Sequence, residues 1–264
     1  MKQLPNLFTL LNLFFGCLAV IFVLQNGIGI MYNEDGAQYI GIPERIGIAS
    51  LFIGLAALVD FLDGLVARVF KAVSPMGKQL DSLADVVSFG VAPGMILYQF
   101  LRMSVARQES GLDASMLWFL PALILPCAAA YRLAKFNIDE GQAFGFKGVP
   151  TPAAGLLVAS FPLIYWYSNS DGPAWMDLLN KWALSCLLNK WALYVVILLL
   201  AWLMVSNLPL MALKFKDHSR KVMAPKIILL LVAVIAAVCL KWLAVPVVFV
   251  FYIVVSLAFK NKTT

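Results

Sequence analysis

The chain has 264 residues, 62% hydrophobic and 13% charged, with a mean hydropathy of +0.88. That balance excludes an ordinary soluble domain and a disordered polar chain, and points to an integral membrane protein. The net charge of +6 does not indicate a nucleic-acid binder, because the basic residues fall in alternate loops and form no aromatic-interleaved stripe.

Apolar stretches occur at about 7–25, 46–70, 79–101, 116–136, 153–168, 191–213, 227–240 and 243–259. They predict an all-α fold of about eight transmembrane helices by the ~20-residue criterion. The first carries Asn6 and Thr9 near its start, where helix capping and a phosphate contact suit them equally. Phe15 is too bulky for a lipoprotein-type cleavage site ahead of Cys17, so the first helix is read as uncleaved. Lys71 and Lys78 mark the second loop, Lys135 and Lys147 the fourth, and Lys214, Lys216, Arg220, Lys221 and Lys226 the sixth, while the intervening loops are mixed or acidic. This positive-inside pattern predicts cytoplasmic termini and a cytoplasmic position for the loop after the second helix. Residues 1–213 are expected to form the membrane core. A basic loop and two further helices, 214–264, follow it.

The remaining features read as structural. Cys17, Cys127, Cys186 and Cys239 have no metal-ligand spacing and suit small apolar filler. The heptapeptide LLNKWAL occurs at 178–184 and again at 187–193, and its Lys–Trp pairs suit a membrane interface; residues 169–190 as a whole read as a polar connection. His218, the single histidine, lies in a basic loop with no catalytic partner nearby.

The informative segment is DFLDGLVARVFKAVSPMGKQLDSLAD, residues 60–85. An Asp at the centre of a membrane helix costs roughly 2.5–3.5 kcal/mol on insertion scales, so Asp60, Asp63, Asp81 and Asp85 need compensation. Asp60, Asp63, Gly64, Ala67 and Arg68 follow at i, i+3, i+4, i+7 and i+8 on one helical stripe, and Asp81 and Asp85 lie one turn apart on another. Two facing helices would converge four carboxylates, a set of hard oxygen donors suited to Mg²⁺ or Mn²⁺ shared with a phosphate. Ser74, Pro75 and Gly77 should end one helix and start the next.

Asp60, Asp63, Gly64, Ala67, Arg68, Gly77, Asp81 and Asp85 stand at the spacings of the CDP-alcohol phosphotransferase signature, which the segment resembles without departure. The resemblance implies a core of six helices, a homodimer and a site of two divalent metal ions. Asp60, Asp63, Asp81 and Asp85 would hold the ions, and Asp85 would also serve as general base. It further implies that Gly64, Ala67, Arg68, Ser74 and Gly77, with Asn6 and Thr9, contact the CDP-linked lipid while an alcohol displaces CMP.

Three further segments, SLADVVSFGVAPG, AAAYRLAKFN and FKGVPTPAAG, resemble the membrane-type phosphatidylserine synthases. The implied partners are CDP-diacylglycerol and L-serine, at the cytoplasmic side of a bacterial inner membrane. Serine needs a cation for its carboxylate, and Arg132, Lys135, Asn137 and Lys147 are the candidates at the end of the fourth helix and in the turn after it. Glycerol-3-phosphate or an inositol phosphate would use the same chemistry on a more basic pocket. A cation transporter would instead spread its membrane acids over several helices.

Overall fold

The computed structural model describes residues 4–32, 35–69, 74–108, 114–138, 146–167, 174–210 and 220–258. Ten α-helices dominate them: α1 (Leu4–Gln25), α2 (Ile46–Val69), α3 (Pro75–Val86), α4 (Ala92–Ala106), α5 (Ile124–Ile138), α6 (Thr151–Tyr167), α7 (Ala174–Leu188), α8 (Lys190–Val205), α9 (Arg220–Leu240) and α10 (Ala244–Ala258). Two small antiparallel pairs join them, β1 (Gly29–Tyr32) with β2 (Gln38–Gly41), and β3 (Phe146–Lys147) with β4 (Pro209–Leu210).

Local chemistry explains the key boundaries. Ser74 caps α3 by accepting the Gly77 amide at 2.9 Å, and Pro75 follows at the first helical position, where its missing N–H costs nothing. α3 then runs into α4 through a π-turn, Val87–Val91, giving one helical run from Pro75 to Ala106. Ser88, Phe89 and Gly90 of that turn are buried against α1, α5 and α6. The core lies where α1, α2, α4 and α6 meet, around Ile53, Phe89, Ile96, Leu97 and Phe100.

The helical membrane fold is as expected. Among the described residues four helical runs are long and apolar enough to cross a bilayer, Pro5–Gln25, Ile46–Val66, Pro75–Ala106 and Pro225–Ala258, or five if α7 and α8 form one bent span. These runs differ from the eight expected stretches in two places. α5 and α6 reach only 15 and 17 residues, short of the ~20 that a 30 Å hydrocarbon layer needs. The last two stretches also fall within a single run, divided by a turn at Lys241 (φ 51°) across which α9 and α10 pack on each other.

Residues 116–123, predicted as helix start, are 3₁₀ turns. Much of the segment read as a polar connection, 169–190, is helix α7, which meets α8 at 85°. The four cysteines are free and exposed on the apolar surface rather than filling the core. His218 and the basic residues around it lie outside the described residues, as do the side chains of Ala67, Arg68 and Lys147.

Candidate active site

α1 packs along both α2 and α3, and this arrangement turns the two acidic stripes toward each other. Asp60, Asp63 and Asp81 each place a carboxylate oxygen so that the three atoms lie within 4.8 Å of one another. Like charges at that separation repel by about 3–4 kcal/mol per pair at an effective dielectric near 20. Asp63 is buried, and one oxygen of Asp81 is buried with no hydrogen-bond partner among the described residues. A cluster of carboxylates with an orphaned oxygen is a donor set that fits a hard divalent cation. Asp85 sits one turn deeper, outside that trio, yet its charge interacts with those of Asp60, Asp81 and Asp63.

α1 supplies hydrogen bonds to both acidic helices. Thr9 Oγ1 lies 2.9 Å from Asp63 Oδ2 and 3.1 Å from the Pro5 carbonyl. Asn12, fully buried, donates its Nδ2–H to Asp85 Oδ1 at 3.2 Å. One turn beyond Asp85, in the π-turn, Ser88 Oγ donates to the Asn12 carbonyl at 3.0 Å. This contact depends on Gly16, where a Cβ would stand 2.3 Å from Ser88 Oγ and 2.9 Å from its Cα. At the mouth of the site, a Cβ on Gly77 would come 3.0 Å from Asn6 Oδ1 and 3.1 Å from Ser74 Oγ, which brings Asn6, Ser74 and Gly77 together. Gly64 lies on α2 directly after Asp63.

The predicted acceptor residues divide. Arg132 is buried and donates to Thr151 Oγ1 at 2.8 Å, its Nε has no hydrogen-bond partner among the described residues, and its charge acts on Asp85. Lys135 turns elsewhere, donating to Asn207 Oδ1 at 2.7 Å and to the Val205 carbonyl that ends α8. Asn137 donates to Ser82 Oγ at 2.8 Å and accepts from Lys78 at its carbonyl, tying α5 to α3. Only Arg132 of these three therefore shares the surroundings of the aspartates.

Residues 2–202 match the model of the CDP-alcohol phosphatidyltransferase family. The chain belongs to that family. It is a transferase of phospholipid biosynthesis built on membrane helices. A Bacillus subtilis protein named CDP-diacylglycerol–serine O-phosphatidyltransferase is 34% identical over 171 residues, covering 62% of this chain and 78% of that one. One of the same name from Helicobacter pylori is 32% identical over 58% of this chain and 54% of its own length. An archaetidylserine synthase of Methanothermobacter thermautotrophicus is 30% identical over 63% of this chain and 60% of its own. The chain thus spans little more than half the length of the latter two relatives.

Sequence reasoning missed Asn12, Ser88 and Thr151. A signal for the first was present: Asn6, Thr9, Asn12 and Gly16 step at three, three and four residues, a polar and small stripe on an otherwise apolar helix. Ser88 and Thr151 carry no such mark.

Proposed function

We propose that this transferase moves the phosphatidyl group of CDP-diacylglycerol to L-serine, giving phosphatidylserine and CMP. The observation that carries the reading is the meeting of Asp60, Asp63 and Asp81 beside Asp85 in a partly buried site. The names of the relatives support serine as acceptor. Asp60, Asp63, Asp81 and Asp85 would hold two divalent ions, Mg²⁺ or Mn²⁺, which when bound neutralise charge on the pyrophosphate.

The chain's own residues do the rest. Asn6, Ser74 and Gly77 line the nucleotide end, and by family resemblance Gly64, Ala67 and Arg68 complete the contacts to the CDP-linked lipid. Thr9 holds Asp63 in place by the hydrogen bond it donates. Arg132, buried and with an unpaired Nε, receives the serine carboxylate. Asp85 takes the serine hydroxyl proton as the new oxygen–phosphorus bond forms and the bond to the CMP oxygen breaks. An aspartate is a weak base for an alcohol, so the proton moves late, when the hydroxyl has become acidic by bonding to phosphorus. The site faces the cytoplasm.

Purified protein in nanodiscs, given CDP-diacylglycerol and labelled L-serine, should release CMP and labelled lipid in equal amounts. EDTA should stop both, and Mg²⁺ or Mn²⁺ should restore them. Label entering lipid from glycerol-3-phosphate or an inositol phosphate, but not from serine, overturns the choice of acceptor. Turnover unaffected by EDTA overturns the role given to the aspartates.

A further inference from the structure

We propose that Asn12 is the positioning residue for Asp85, and that Ser88 and Gly16 hold Asn12 in place; this rests on the reading of Asp85 as proton acceptor. Asp85 is buried, and a carboxylate in that setting keeps one orientation only if something fixes it. Among the described residues Asn12 Nδ2 donates a hydrogen bond to that carboxylate, 3.2 Å from Oδ1. That bond divides the carboxylate: Oδ1 is occupied from the α1 side, and Oδ2 is the oxygen left for the incoming hydroxyl.

Asn12 is itself fixed from α3. Ser88 Oγ donates to the Asn12 main-chain carbonyl at 3.0 Å, an acceptor its own helix already uses, so the contact pins the backbone rather than the side chain. Ser88 belongs to the π-turn, three residues after Asp85, so the base and the clamp on its partner ride on one rigid segment. π-turns inside α-helices are frequent where a side chain has to be re-aimed. Gly16 permits the approach, since a side chain there would overlap Ser88. The result is a closed loop of contacts, Asp85 to Asn12 to Ser88 and back along α3. It fixes α1 against α3 in register and sets the azimuth of the base.

The predicted effect is on turnover, not on donor binding. Asn12→Leu keeps the approximate volume and removes the donor; losing a hydrogen bond to a charged group of this kind corresponds to about 10–100-fold in rate. kcat should fall by that factor, while the KM for CDP-diacylglycerol and the CMP-binding affinity stay within about twofold. Ser88→Ala, which removes only the support, should cost less, about 3–10-fold in kcat. Combining Asn12→Leu with Ser88→Ala should cost no more than Asn12→Leu alone, because both act through one contact.

A kcat within twofold of wild type for Asn12→Leu overturns the inference, as does a fall in kcat matched by an equal loss of CMP affinity. CMP binding also reports folding, so an unfolded variant cannot pass for a supporting result; in that case Ser88→Ala alone decides, supporting the inference only by a kcat loss at unchanged KM. Asp85→Asn assayed alongside separates the two readings. If it retains turnover, the base assignment falls whatever Asn12 does. If it is inactive while Asn12→Leu is normal, only the positioning role falls.

Discussion

At the level of single residues, the site is legible in sequence wherever a charge is expensive. Four aspartates in an apolar run cannot be neutral filler, and the structure brings three of them within 4.8 Å of one another with the fourth beside them. The uncharged residues that orient them are harder to read, because an amide or hydroxyl in a membrane helix is inexpensive enough to occur without function. Thr9 is the instructive case. Its sequence position allowed a cap or a phosphate contact, and in the structure it is placed against Asp63, 2.9 Å from Oδ2. Thr9→Val keeps the shape and deletes the donor, so it should lower kcat/KM about 10-fold, with little change in melting temperature, since the freed carboxylate oxygen can turn toward a bound cation. Asp63→Asn should be far more damaging, about 10³-fold or more, because it removes a charge from the cluster itself rather than a support. Steady-state kinetics of the two variants side by side, at saturating Mg²⁺, measure the difference. Equal losses would mean that Thr9 touches substrate directly.

At the level of elements, termini written in local chemistry were readable and those set by packing were not. Ser74–Pro75 announces a helix start, and α3 begins there. The repeated LLNKWAL shows the opposite limit: its first Asn, Asn180, is buried in the middle of α7, whereas its second, Asn189, breaks the chain and caps α8 by accepting from Trp191 and Ala192. Identical neighbours take different roles, so tertiary contacts make the choice. The π-turn at Val87–Val91 is likewise unmarked in sequence and arises where α1, α5 and α6 converge on one helix.

The clasp between β3 and β4 illustrates an element that depends on one residue. Gly148 has φ +75°, and a Cβ there would lie 2.6 Å from the Met204 carbonyl and 2.8 Å from that of Ser206. Its amide donates to Leu208, and the next, Val149, to Leu203, so the turn before α6 is latched to the end of α8. Gly148→Ala should cost about 1–3 kcal/mol and lower the detergent melting temperature by roughly 3–10 °C. Because α6 carries Thr151, the partner of Arg132, the same variant should raise the KM for serine more than that for CDP-diacylglycerol. Parallel shifts in both constants would detach the latch from the acceptor side of the site.

At the level of the whole molecule, hydrogen bonds between distant loops sort the chain into two ends. Lys78 meets Asn137, Lys135 meets Asn207, and β3 meets β4, all at the end where the aspartate site opens past Ser74. At the other end Arg107 reaches Ile40 and Tyr165, Tyr167 reaches Glu44, Lys190 reaches Gln108, and Tyr194 reaches Trp118. Lys190 also lies over the Trp118 ring at 4.7 Å, the aromatic and cationic surroundings of a membrane interface. The first end carries the lysines of the second and fourth loops, and the second end mixes both signs, the charge asymmetry on which the proposed cytoplasmic position of the site rests. Two exposed positions report the two ends: Met76 in the first turn of α3 and Tyr32 on β1. The four native cysteines are free, so Met76→Cys and Tyr32→Cys belong in a background that lacks them. On intact cells an impermeant maleimide should label position 32 and spare position 76 until the membrane is opened. The reverse pattern would overturn the proposed cytoplasmic position of the site.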